Sequence, residues 1–373
     1  MNESALPEMV VRKTNVLFSQ STWISSSLRW MLLFAVLIVP QVLWGAASAS
    51  ATPSQTWHAT VGAQSNDRGR QALAFLPNEI WIHVNDSIEW RFDVDEVHTV
   101  TFIPDSQIRP FFGDIHQALP SNPATFDGSS IVSSPGDLAV AFVKGATFTV
   151  KFTKAGNFKL VCLFHQNMTG AVHVLEATEE LPHDQAFYDR QAADQRRDLL
   201  SDRDGGLVAA CQQHSRCAAH DSLKVRVVTA GIGEISATPG GTQTQSVFRF
   251  IDDEIHIRAG DTVEWTNRDP VTPHTVTFGQ EPDDIFATFP PDLPRDADGA
   301  LHAVIKSPGE SISSGVLAAS PQDMVSGSPQ TPLGATRFRV TFLNAGVFPY
   351  ICTLHDDLGM KGMVIVHPKV SPR

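Results

Sequence analysis

Cysteine is scarce in this 373-residue chain; with four in all, no disulfide framework can carry the fold. Long apolar runs are scarcer still. The only one, Trp30–Gly45 (WMLLFAVLIVPQVLWG), is short for a bilayer span and is interrupted by Pro40. Methionine is sparse and mostly isolated, seven residues in total, unlike the Met-rich tracts of metal carriers. No Ser/His/Asp arrangement and no phosphate-cradling Gly loop supports a hydrolase or a nucleotide enzyme. Basic side chains are outnumbered 28 to 40, a formal net charge of −12, which argues against nucleic acid as a partner.

The apolar run follows Arg12, Lys13 and Arg29 and precedes the small residues AASASA. That order is the pattern of a signal peptide over 1–51, with cleavage near Ala49 or Ala51, and the long basic region is consistent with a start at Met9. It predicts an exported protein, periplasmic or extracellular, or a membrane-tethered one if the segment stays attached. No lipid-attachment cysteine follows the run.

The chain repeats itself. Residues 72–102 (ALAFLPNEIWIHVNDSIEWRFDVDEVHTVTF) match residues 247–278 (VFRFIDDEIHIRAGDTVEWTNRDPVTPHTVTF), and HTVTF recurs at His98–Phe102 and His274–Phe278. Period-2 alternation predicts strands at Ile80–Val84, Ser87–Phe92, Thr99–Ile103, Thr147–Thr153 and Ala171–Leu175. In the second copy they fall at Ile255–Arg258, Thr262–Thr266, Thr275–Phe278, Thr336–Phe342 and Met363–Val366. Trp90 and Trp265 read as core residues. Asp105–Leu138 and Gly279–Gly334, rich in Pro, Ser, Gly and Asp, read as long loops. Between the copies, helical spacing predicts a helix over Asp184–Leu200 and a short second one near Leu207–Ala219, its amphipathic face packed on a sandwich.

Each copy ends in a Phe-rich, Gly-bent strand that runs into a cysteine. The first gives Cys162, His165 and Met168 in Cys-x2-His-x2-Met; the second gives Cys352, His355 and Met360 in Cys-x2-His-x4-Met. A thiolate, two imidazoles and a weak thioether are the donor set of a mononuclear electron-transfer copper. Thiolate and imidazole also suit zinc, and the thioether favours copper. The upstream histidine of HTVTF supplies the donor the short loop lacks.

On these motifs both halves resemble the cupredoxins, the blue-copper family that includes plastocyanin, amicyanin and azurin. The loop Cys352–Met360 has plastocyanin-like spacing and Cys162–Met168 the tighter amicyanin-like spacing. The resemblance implies an all-β chain of two Greek-key cupredoxin β-sandwiches, at 52–176 and 224–368, joined by a helical linker over 177–223. It implies two type 1 copper ions, one held by His98, Cys162, His165 and Met168, the other by His274, Cys352, His355 and Met360. His165 and His355 would face solvent, ringed by Leu163, Phe164 and Leu354 as a docking patch. Many family members have Asn after the first histidine, bracing the Cys loop; Thr99 and Thr275 stand there instead, so the brace is weaker or differently made.

The function so implied is one-electron transfer between redox proteins, a cytochrome or oxidase-type donor and acceptor. An acidic surface suits docking to a basic redox protein, and it equally serves simply to keep a secreted protein soluble. The alternatives are copper buffering without a redox partner and, less well supported, a copper oxidoreductase related to the nitrite reductases. Catalytic copper in two-domain nitrite reductases needs a His directly beside the Cys ligand, and multicopper oxidases also need His-x-His pairs. Here Val161 and Leu163 flank one cysteine, Ile351 and Thr353 the other, and no His-x-His occurs, so no enzyme activity is expected. Asp356 and Asp357 lie beside the second site alone, and negative charge favours the more positive oxidised ion, so the second site is expected to have the lower reduction potential. Cys211 and Cys217 form a local disulfide if the chain turns between them; on a continuous helix they stand about 9 Å apart by rise. Free thiols, or a third metal site with His214, are the other readings. The remaining histidines lie scattered singly, on the surface or packed.

Overall fold

Alternation in SIEWRF sends Ile88, Trp90 and Phe92 to one face of a strand and Ser87, Glu89 and Arg91 to the other. The computed structural model forms a strand over those residues with the first set buried. It describes residues 53–107, 109, 123–134, 144–201, 208, 225–282, 292–319 and 335–369.

The first copy contributes β1 (Thr56–Gln64), β2 (Arg70–Leu76), β3 (Glu79–His83), β4 (Ser87–Phe92), β5 (Thr101–Phe102), β6 (Ala124–Phe126), β7 (Val132–Ser133), β8 (Thr147–Phe152), β9 (Gly156–Val161) and β10 (Thr169–Leu175). Helix α1 (Gln185–Leu200) follows. The second copy contributes β11 (Val225–Thr238), β12 (Gly241–Ile251), β13 (Glu254–Arg258), β14 (Thr262–Arg268), β15 (Thr277–Phe278), β16 (Leu301–Ile305), β17 (Ile312–Ser313), β18 (Arg337–Phe342), β19 (Gly346–Ile351) and β20 (Lys361–His367). The all-β expectation with a helix between two halves holds.

Each half is a two-sheet sandwich. The five-stranded sheets β3-β10-β9-β5-β7 and β13-β20-β19-β15-β17 have the same order, and each faces its half of a ten-stranded sheet, β16-β18-β14-β11-β12-β2-β1-β4-β8-β6. Fully buried Trp90 and Trp265 pack between the sheets, Trp90 against Phe102 and Trp265 against Tyr350.

The large sheet is continuous because β12 pairs with β2 antiparallel, from Thr244↔Leu73 to Val247↔Arg70. This seam joins the copies. The β11–β12 hairpin extends it: the Thr169 hydroxyl accepts the Thr242 N–H at 2.9 Å, and Asn78 Nδ2 donates to the Thr238 hydroxyl.

Helix α1 starts where Asp184 Oδ1 accepts the Phe187 N–H at 2.8 Å, an N-cap interaction. Its Leu199 packs on Ala63, Ala72, Ala74 and Leu76, on the face of β1 and β2 turned away from the sandwich core. That covering explains why β2 reads RQALAFL without alternation: six of its seven residues are buried. Burying one such leucine contributes about 1.5–3 kcal/mol. The expected second helix, and with it Cys211, His214 and Cys217, lies outside the described residues, Val208 excepted.

Two strands are shorter than expected. Thr99 and Val100 leave the ladder because their N–H groups point to the Cys162 sulfur and the Ser134 hydroxyl. Thr275 and Val276 do the same with Cys352 and Ser314. The site, rather than strand propensity, sets the ends of β5 and β15.

Candidate metal centres

Both candidate sites are built from one strand end and one upstream histidine. Cys162 follows β9 and Cys352 follows β19, and each is fully buried. The Cys162 N–H donates to the Met168 carbonyl and the Met168 N–H to the His165 carbonyl, closing the first loop; Cys352, Met360 and His355 repeat both bonds. Met168 and Met360 end their loops fully buried.

The structure brings His98, Cys162 and His165 together, and likewise His274, Cys352 and His355, with one donor atom from each residue of a trio lying within 4.8 Å of the others. Cys162 Sγ is 3.8 Å from His98 Nδ1 and 3.6 Å from His165 Nδ1, and the two Nδ1 atoms are 3.1 Å apart. In the second trio the corresponding distances are 3.9, 3.5 and 3.1 Å. Burial opposes ionisation of either thiol. Hydrogen bonds and charge from the paired imidazoles overcome it and hold both sulfurs well below the ordinary thiol range. A dry, ionised sulfur beside two Nδ1 atoms, with a buried thioether closing the loop, is a soft donor set that fits copper.

The upstream histidine sits against a glycine in each copy. Gly62 in β1 and Gly231 in β11 have φ of +69° and +78°, and the strand register shifts at both. These are bulges that bring bare backbone up to an imidazole. A Cβ on Gly62 would lie 2.7 Å from His98 Nε2, and one on Gly231 only 2.1 Å from His274 Nε2. The sequence reading missed both glycines, which precede the segment where the repeat is legible.

The missing asparagine brace is replaced by threonine. The Leu163 N–H donates to the Thr99 hydroxyl at 2.8 Å, and the Thr353 N–H to the Thr275 hydroxyl at 2.8 Å. The Thr99 and Thr275 N–H groups reach the cysteine sulfurs at 3.4 and 3.3 Å. The brace is therefore differently made and present twice.

The loop histidines do not face solvent. His165 is 2% exposed and His355 4%, and Leu163 is fully buried, so the expected docking patch around exposed imidazole edges is not formed. The seam turns the two loops toward the other half. Phe248 of β12 covers His355 with ring centroids 4.3 Å apart. Arg249 beside it donates to the Leu358 carbonyl at 2.9 Å and to the Asp67 carbonyl of the first half at 2.6 Å. Between the two loops lies buried Glu96, with Oε1 3.4 Å from His165 Nε2 and Oε2 3.6 Å from His355 Nε2. Burial pushes this carboxyl up, but His355, His165 and His98 outweigh it and bring its pKa down to about 2. For His165, burial disfavours the charged ring; Cys162 and Glu96 win and raise its pKa to about 10.

The sites differ behind the upstream histidine. Neither His98 Nε2 nor His274 Nε2 has a hydrogen-bond partner among the described residues, but fully buried Asp269 places Oδ2 3.9 Å from His274 Nε2, within ion-pair distance. Against burial, Asp269 and Cys352 push the His274 pKa up to about 9. Arg109, unremarked in the sequence, ties down the first loop by donating to the Cys162 carbonyl and, at 3.1 Å, to the Gln166 carbonyl. Of the scattered histidines among the described residues, His256 and His367 are not single: they stack, with ring nitrogens 3.0 Å apart.

The chain is similar to several known proteins. A plastocyanin from Ginkgo biloba is 33% identical over 104 residues, covering 27% of this chain and 88% of that protein. Among solved structures, the oxidised plastocyanin of Dryopteris crassirhizoma is 19% identical, covering 38% of this chain and 99% of that one, with a TM-score of 0.20. A mutant amicyanin in the Cu(I) state is 20% identical, covering 40% and 90%, with a TM-score of 0.21. The family described as copper binding proteins, plastocyanin/azurin family, matches residues 62–175 and again 238–367. With a match in each half and a soft donor trio in each match, the chain belongs to the plastocyanin/azurin family of copper-binding proteins and is built for two type 1 copper ions.

Proposed function

We propose that this chain is an exported electron carrier that holds two blue copper centres and performs no catalysis of its own. The observation that carries the reading is the pair of buried thiolate–imidazole trios. His98, Cys162, His165 and Met168 hold the first ion, within a domain at 52–176; His274, Cys352, His355 and Met360 hold the second, within a domain at 224–368. Bound copper supplies the one-electron couple. The protein's part is to fix the donors before the ion arrives: the Thr99 and Thr275 braces and the loop-closing bonds to Met168 and Met360 hold the cysteine and its loop in place. Donors fixed in this way need little rearrangement between oxidation states. Export is supported by the order of basic residues, apolar run and small residues ahead of Ala51.

The absence of an exposed imidazole edge favours a second reading, copper buffering, in which the metal is held away from redox partners. Stopped-flow mixing of the oxidised protein with a reduced cytochrome separates the two. Rapid bleaching of both centres is the expected result. Exchange with no cytochrome or oxidase at useful rates would leave buffering as the function.

The lower potential proposed for the second site has a second source of negative charge in Asp269. Asp269→Asn is expected to raise the second potential and leave the first unchanged, by about 60 mV for each tenfold change in relative affinity for the two oxidation states. Spectroelectrochemical titration of the variant reads this directly. An unchanged second wave would remove Asp269 from the account and leave Asp356 and Asp357, of which Lys361 approaches Asp356 at 3.6 Å.

A further inference from the structure

A carboxylate is costly to bury, and one enclosed between two metal-ligand rings needs a reason. Glu96 is 7% exposed and lies two residues before His98. Its two oxygens are shared out, one to His165 of the first half and one to His355 of the second. In both trios the atom facing the cysteine sulfur is Nδ1, so the Nε2 atoms that meet Glu96 are the far sides of the same rings. One side chain therefore lies in contact with a ligand of each centre. The second copy has Thr272 two residues before its own histidine, so the bridge is unique in the repeat and one carboxylate serves both sites.

We infer that the two centres form a coupled pair, with Glu96 as the internal relay between them: an electron entering at either copper crosses within the chain through His165, the Glu96 carboxylate and His355. The inference rests on the electron-carrier reading. One centre is oxidised as the other is reduced by the same single electron; no bond forms or breaks, and no proton leaves the carboxylate. The arrangement accounts for the burial of both loop histidines, which turn toward each other instead of toward solvent. Glu96 is a positioning residue here, acting on the metals through the two rings.

The test uses the full chain loaded with two coppers and reduced by a photogenerated small-molecule reductant at less than one electron per chain. Redistribution between the centres is expected to be first order and independent of protein concentration. Glu96→Gln, whose amide offers one acceptor where two rings need one each, is expected to slow it about 10–100-fold and to raise both potentials. Glu96→Asp keeps the charge on a shorter arm that cannot span both rings; it is expected to slow redistribution while moving the potentials little. A structural role alone would not separate rate from potential in this way. Frozen-solution EPR of the oxidised protein is expected to show dipolar broadening, which disappears in Cys162→Ser. In the copper-free chain, nitrogen NMR is expected to show slowly exchanging Nε2–H groups on His165 and His355, both lost in Glu96→Ala. Redistribution that scales with protein concentration, or that keeps its rate in both Glu96→Gln and Glu96→Asp, would overturn the relay. Failure of the carrier reading shows up separately, as absent exchange with external proteins while internal redistribution persists.

Discussion

Replacing Cys352 by serine is expected to leave a chain that binds one copper and keeps about half of its blue absorbance. Cys162→Ser does the same for the other half, and the double variant binds none and is colourless. The colour arises from charge transfer out of a thiolate bound directly to the metal. A serine hydroxyl is neither soft nor ionised near neutral pH, so it replaces neither the bond nor the transition. Both sulfurs are fully buried and flanked by two Nδ1 atoms, so no neighbouring thiol can stand in among the described residues. Metal analysis alongside the visible spectrum decides the matter. Two coppers remaining in Cys352→Ser, or one copper in the unaltered chain, would refute the donor assignment for that half.

The second large effect is expected from Gly231→Ala. At φ +78° an L-residue is strained by about 1–2 kcal/mol, and the added methyl would meet the His274 ring at 2.1 to 3.0 Å. Overpacking of this kind adds about 1–3 kcal/mol, and the ring can relieve it only by leaving the cysteine sulfur. The variant is thus expected to lose about 2–5 kcal/mol of stability together with copper at the second site. Gly62→Ala, with a nearest approach of 2.7 Å to His98, should follow the same direction with a smaller loss. Urea unfolding and copper counting measure the two effects. Full copper in Gly231→Ala with unchanged stability would mean that the bulge does not shape the site.

What the sequence disclosed were features whose causes are local. β4 depends on alternation within SIEWRF, α1 on helical spacing from Asp184 to Leu200, and the Cys-to-Met loops on spacing within one turn of chain, and each was legible residue by residue. The threonine brace was half legible: the departure from asparagine was visible, but the hydroxyl's ability to accept the next loop N–H needed coordinates. Features set by distant pairing were not legible. Nothing in RQALAFL says that its partner is TQSV of the other copy, because a strand buried on both faces has no side-chain period to declare its neighbour. Without that seam, His165 and His355 read as surface ligands and Glu96 goes unremarked. The acidic residue gave no signal of its own, since its two partners lie 69 and 259 positions away.

The seam has a thermodynamic consequence. Taken alone, each half would end at an open edge, β2 in one and β12 in the other, with unpaired backbone groups prone to recruit foreign strands. Joined, those edges vanish, and opening either half strips backbone partners from the other. The sandwiches are therefore expected to melt as one body, so that the metal held by one stabilises both. Copper free at 100 times its dissociation constant for a single site adds about 2.7 kcal/mol to that common unfolding free energy. Occupancy of one half is thus expected to be felt as resistance to unfolding in the other, before any electron has moved.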